Sequence, residues 1–96
     1  MFAVFLRFAE NKSRASEFMD GHKVWLQRGF GDGVFLAAGS LQAPDGGGAI
    51  LAHNASRDAL QARVDEDPFV MENVVTAEIV EFAPSLTDDR LAFLAA

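Results

Sequence analysis

His22 stands where a helix would present a core residue. Phe18, Met19, Trp25, Leu26 and Phe30 recur at helical spacing, and His22 falls inside that stripe. An imidazole placed there needs a polar partner, and because it gains and loses a proton near neutrality it is the first candidate for acid/base chemistry. Asp67, in the phrase Asp65-Glu66-Asp67-Pro68-Phe69, is the expected partner. It follows Leu60 by seven residues and Val64 by three, so a continuing helical phase sends its carboxylate out on the buried side, unlike Asp58, Asp65 and Glu66. Pro68 disfavours further helix at Asp67 and leaves it at a helix terminus. A carboxylate that accepts from one ring nitrogen fixes the tautomer and leaves the other nitrogen to face a substrate. Such a pair suits proton abstraction, isomerisation or elimination on a small acidic or phenolic molecule. The same two groups could equally satisfy each other in a core and pin two helices together without chemistry.

Other constellations are weaker. Ser40 could complete a Ser-His-Asp set, but no nucleophile-elbow glycine pattern surrounds it. The run Gly46-Gly47-Gly48 could cradle a phosphate, yet no Lys-Ser or Lys-Thr follows and no helix begins there, so a hairpin turn is the better reading. His53 falls at a strand end and is expected to face solvent. Trp25 reads as core rather than as a stacking platform, and Phe35 and Phe69 carry the same two possibilities. Asp88 and Asp89 are expected to be a solvated helix start. The chain contains no cysteine and only two histidines, without metal-ligand spacing, so neither disulfide, thiolate chemistry nor a metal site is expected.

Those candidates must be positioned by a small frame. Ninety-six residues make a single domain, 1–96, whose core is thin at that length, while half of the residues are hydrophobic. Some apolar surface is therefore expected to meet a second copy. The net charge of −6, with eight scattered basic residues, makes nucleic acid a poor partner. The apolar opening from Met1 to Phe8 is interrupted by Arg7, too short for a membrane span and unlike a signal peptide, so a cytoplasmic protein is expected.

Phe2 to Phe8 reads as a strand with Phe2, Val4, Leu6 and Phe8 on one face and Ala3, Phe5 and Arg7 on the other. A helix follows, capped by Ser13 or Ser16, and runs to the stop Gly29-Phe30-Gly31-Asp32-Gly33, with Glu17, Asp20, Lys23 and Gln27 outward. Val34 to Gln42 and Ala49 to His53 read as strands joined by the glycine turn. Ser56 caps a second helix from Arg57 to about Glu66, and Val74 to Ala83 is the last strand. A tail helix spans about 87–95. The order strand, helix, strand, strand, helix, strand predicts an α+β, ferredoxin-like βαββαβ fold with a four-stranded antiparallel sheet. Its second face would be bare in a monomer. Phe5, Ala77 and Ile79, among apolar residues on both faces, point to a second subunit's sheet packing there, braced by Leu91-Ala92-Phe93-Leu94.

The ordered phrases of the chain resemble the YciI-like (YCII-related) family of small dimeric α+β-barrel proteins. They are the apolar first strand, Gly21-His22-Lys23-Val24-Trp25-Leu26, Phe35-Leu36-Ala37-Ala38-Gly39-Ser40, the glycine turn, and Asp65-Glu66-Asp67-Pro68-Phe69, together spanning Phe2 to about Phe82. The resemblance implies a homodimer in which His22 and Asp67 are the candidate active-site pair, in a cleft close to the dimer interface. It also implies a group that includes cofactor-free enzymes acting on small ring compounds, one YciI-like branch being associated with dehydrochlorination of a chlorinated hydroxyquinol. Arg14 matches a basic residue that often precedes the family histidine. Ser40 departs from the family, which often has proline there, and this changes the loop and the pocket's polarity at that corner. The expectation is a cofactor-independent lyase or isomerase, or else a non-catalytic small-ligand binding or accessory domain. Its catalytic residues would be His22 and Asp67, with Ser40, Phe69 and Arg14 on the substrate.

Overall fold

Four strands form an antiparallel sheet of order β2-β3-β1-β4 in this computed structural model, which describes residues 1–94. They are β1 (Phe2–Phe8), β2 (Phe35–Ser40), β3 (Gly48–Ala52) and β4 (Val75–Glu81). Between β1 and β2 lies helix α1 (Ala15–Gly31), entered through a 3-10 turn at Lys12–Arg14, and between β3 and β4 lie α2 (Arg57–Asp65) and α3 (Pro68–Met71). The fold is the expected ferredoxin-like α+β arrangement. No helix among the described residues is long and apolar enough to cross a membrane.

The two-residue period of β1 decides which face is covered. Phe2, Val4 and Leu6 are buried, and their antiparallel neighbours on β3, Ala52 and Ile50, share that face. Trp25, Leu60, Val64 and Phe69 close over it from the helices. The opposite face carries Ala3 and Phe5 on β1, Leu51 and Ala49 on β3, Val80 on β4 and Ala37 on β2, with Arg7 and Glu78 ion-paired at 2.8 Å. It is open in the single chain. Ala77 and Ile79, expected among residues facing a partner, instead stand opposite Leu6 and Val4 and pack against the core on the helix side. The pairing register sets this, since residues directly opposite in an antiparallel pair point the same way.

Helix α1 differs from its sequence reading at both ends. Arg14, not Ser13 or Ser16, occupies the N-cap, with no side-chain cap bond; the preceding 3-10 turn carries the Ala15 amide to the Lys12 carbonyl instead. At the other end the helix continues through Gly29, a residue expected to belong to the stop. Gly29 is buried, and a Cβ there would lie 2.1 Å from the Phe35 ring. The glycine is a contact point for β2 rather than a terminator. Of the apolar stripe, Trp25 is buried and Phe18 and Leu26 are partly so, while Met19 and Phe30 stay exposed.

Ser56 caps α2 as expected, its hydroxyl accepting from the Ala59 amide at 3.1 Å. Beyond β4 the tail forms a kinked 3-10 segment at Asp89–Leu94 rather than a regular helix, and Ala95 lies outside the described residues. Asp88 starts the segment by accepting from the Arg90 amide, and its hydrogen bonds from Arg90 hold its carboxyl below the usual aspartate range. Phe93 meets His53 edge-on, with ring centroids 5.4 Å apart, so His53 is half-covered.

The Gly29 contact gives a direct expectation. Gly29→Ala forces a methyl into the Phe35 ring and is expected to lower stability by about 1–3 kcal/mol despite alanine's better helix propensity, as read by urea unfolding.

Candidate functional site

The carboxylate of Asp67 has no solvent exposure at all. Val64 and Leu60 are also fully buried, so the helical phase does carry through to Asp67, although regular α2 ends at Asp65. There the chain turns and starts again. Asp67 is the N-cap of α3, its Oδ1 accepting from the Phe69 amide at 3.0 Å, with Pro68 at the first helical position. An aspartate followed by proline is the pattern that starts a helix, and this signal could have located α3 in the sequence.

The same Oδ1 accepts from Nδ1–H of His22 at 2.8 Å. A buried carboxylate requires such donors, because an unpaired one loses several kcal/mol of hydration. The approach of the two elements is close: a Cβ on Gly21 would lie 3.1 Å from Cγ of Pro68. The Phe69 ring stacks on the imidazole at 4.1 Å between centroids and 6° between planes, and Trp25 follows at 5.8 Å and 27°. Trp25 itself is anchored by its indole N–H to the Arg63 carbonyl at 2.8 Å. His22 is thus held by one hydrogen bond and by an aromatic face, with its side chain 12% exposed.

The exposed part of the ring borders a cavity of about 340 Å³. That volume suits one small molecule, at the lower end of ligand pockets of about 300–1,000 Å³. Helix α1 contributes Met19, His22, Lys23 and Leu26, which lie three and four residues apart on one side of the helix. The sheet contributes Leu6, Phe8, Ile50 and Val75, and the glycine turn contributes Gly47 and Gly48. With Nδ1 committed to Asp67, Nε2 is the nitrogen left to meet a molecule in the cavity. The lining is otherwise apolar, apart from Lys23 and Ser40.

The structure therefore brings His22, Asp67, Phe69 and Ser40 together, and it places Arg14 elsewhere. Phe69 and Ser40 both line the cavity. Among the described residues Ser40 makes no hydrogen bond to His22, so no Ser-His-Asp relay is formed. Arg14 does not line the cavity. Its guanidinium bonds to Glu17 at 2.9 Å and lies over the Phe18 ring, because at the start of α1 its near neighbours are those side chains; the Glu17 hydrogen bond and charge raise its pKa. Lys23, expected only on the solvated face of α1, rims the cavity; its spacing from Met19 and Leu26 was the available signal. No group of acidic, histidine or cysteine side chains among the described residues could hold a metal ion.

The model of the YCII-related domain matches residues 1–83. No curated protein sequence matches the chain. Among solved structures, the 5-chloro-2-hydroxyhydroquinone dehydrochlorinase TftG from Burkholderia phenoliruptrix AC1100, in complex with 2,5-dihydroxybenzoquinone, is similar with a TM-score of 0.68. Its identity is 13%, covering 85% of this chain and 93% of that one. The de novo designed protein Ferredog-Diesel is similar with a TM-score of 0.56 at 10% identity, covering 83% of each chain. What these two structures share with this chain is the fold.

Removing the buried carboxylate separates its two duties. Asp67→Ala loses the α3 cap and the imidazole anchor together, and an unfolding free energy lower by about 2–4 kcal/mol is expected in urea titration. Asp67→Asn keeps a capping oxygen and should lose less than half of that.

Proposed function

Since the chain belongs to the YCII-related family, we propose that it is a cofactor-free, lyase-like or isomerase-like enzyme in which His22 moves a proton and Asp67 orients it. One observation carries the reading: a ring nitrogen fixed by a fully buried carboxylate leaves the other nitrogen at the wall of an apolar, molecule-sized cavity. In an elimination, Nε2 takes a proton from the substrate, the freed electron pair forms the new π bond, and the leaving group departs with its own pair. In an isomerisation the proton returns at another atom. The imidazolium formed in either case has the Asp67 charge against its far nitrogen, and apolar walls strengthen that interaction. Phe69 holds the ring plane, and Ser40 offers a hydroxyl to the substrate.

The likeness to a dehydrochlorinase fold makes hydroxylated rings the first substrates to try. With 5-chloro-2-hydroxyhydroquinone and related hydroxylated aromatics, chloride release and product absorbance would be followed for the wild type and for His22→Ala. The variant leaves the buried Asp67 with one donor fewer and is expected to melt at least several degrees lower. Assayed well below that transition, where it is folded, it is expected to lose about 10²–10⁴-fold in turnover. Undiminished turnover by His22→Ala of any compound the wild type consumes would refute the assignment. A second reading, a non-catalytic ligand-binding or accessory domain, is favoured by the structural duty of Asp67 as the α3 cap. A compound that binds in a His22-dependent way and is returned unchanged would support it.

We further propose that a second copy covers the open sheet face, forming the homodimer of an α+β barrel around Phe5, Leu51 and Val80. Leu51 is 39% exposed and lies between Ala3 and Ala37. Leu51→Asp is expected to convert a particle of twice 10.4 kDa into one of 10.4 kDa in light scattering. A wild type of single-chain mass would overturn the dimer.

A further inference from the structure

We infer that Lys23 reads an anionic oxygen group on the molecule that occupies the cavity, which makes the ligand a compact apolar body carrying one such group. The inference rests on the cavity being the ligand site and adds to it the charge of what enters. Three observations converge. First, among the described residues Lys23 is the one lysine or arginine to line the cavity, and no carboxylate lines it. Asp67 is sealed behind the imidazole, with no exposure.

Second, Lys23 is in no ion pair among the described residues. It shares this with Lys12, Arg28 and Arg57, none of which lines the cavity, whereas Arg7, Arg14, Arg63 and Arg90 are each bound to a carboxylate. A lysine that borders an apolar cavity and has no counter-charge from the protein is free to pair with an anion on a molecule held there. Third, the chain as a whole carries a charge of −6, which disfavours anions everywhere that no local cation offsets it. At this cavity Lys23 is the side chain placed to supply that offset. His22 and Lys23 line the same cavity, so the anionic group and the atom meeting Nε2 belong to the same small molecule. A carboxylate or an ionised ring hydroxyl would satisfy the ammonium equally, and both are compatible with the volume of about 340 Å³.

Binding of benzoate, its neutral analogue benzamide, and 2,5-dihydroxybenzoquinone would be measured by calorimetry, with the NMR signals of the His22 ring reporting occupancy of the cavity. The wild type is expected to bind benzoate or the ionised quinone in preference to benzamide, and the tighter of the two identifies carboxylate or ring hydroxyl as the source. Lys23→Gln should weaken the preferred anion by about tenfold or more, leave benzamide unchanged, and be partly rescued by Lys23→Arg. Equal binding of benzoate and benzamide to the wild type, or an unweakened anion in Lys23→Gln, would overturn the role of Lys23. If the His22 signals still shift in that case, the cavity stands as the site. Failure of all three probes to shift those signals at millimolar concentration would overturn both.

Discussion

A carboxylate with no access to water is the constraint on which the rest of this structure depends. Burial of Asp67 is tolerable only because Oδ1 takes two donors, the imidazole of His22 and the amide of Phe69. Its other oxygen, Oδ2, is buried without a partner among the described residues, so the compensation rests on one atom. Both donors must arrive together. The amide arrives because Pro68 and Phe69 open α3, and the imidazole arrives because α1 lies close enough for Gly21 to meet the ring of Pro68.

That junction fixes the site's geometry. Phe69 provides the amide at Asp67 and also the ring that stacks on His22, so cap, anchor and aromatic support form one unit. The imidazole can neither flip its nitrogens without losing the carboxylate nor tilt without leaving the phenyl face. A group prepared in this way does not have to reorganise when a proton moves. The sheet contributes little polarity. Leu6, Phe8, Ile50 and Val75 wall the cavity, and the glycine turn closes its end without bulk.

Conflicting demands meet on α1. One side of the helix must bury Trp25 and let the Phe35 ring reach Gly29, while the adjacent side must leave Met19, His22, Lys23 and Leu26 open to the cavity. The helix accordingly covers the sheet with few buried residues and carries two glycines in its interior, each costing about 1 kcal/mol relative to alanine. At both glycines another ring lies against the helix.

The local patterns of the chain determined the order of elements, the buried face of β1, the Ser56 cap and the burial of Asp67, because each depends on a period or a neighbour within a few residues. The polar intrusion of His22 into an apolar stripe was equally legible, and so was its need of Asp67, since a buried imidazole and a buried carboxylate satisfy each other. Only the tertiary structure decided which way Ala77 and Ile79 point, because their face follows from registration against Leu6 and Val4, more than seventy residues away. It also turned Gly29 from a helix stop into a seat for Phe35, placed Arg14 with Glu17 and Phe18 away from the cavity, and set Lys23 at its rim. Those outcomes depend on distances between segments remote in the chain, and no spacing along a single sequence fixes such distances.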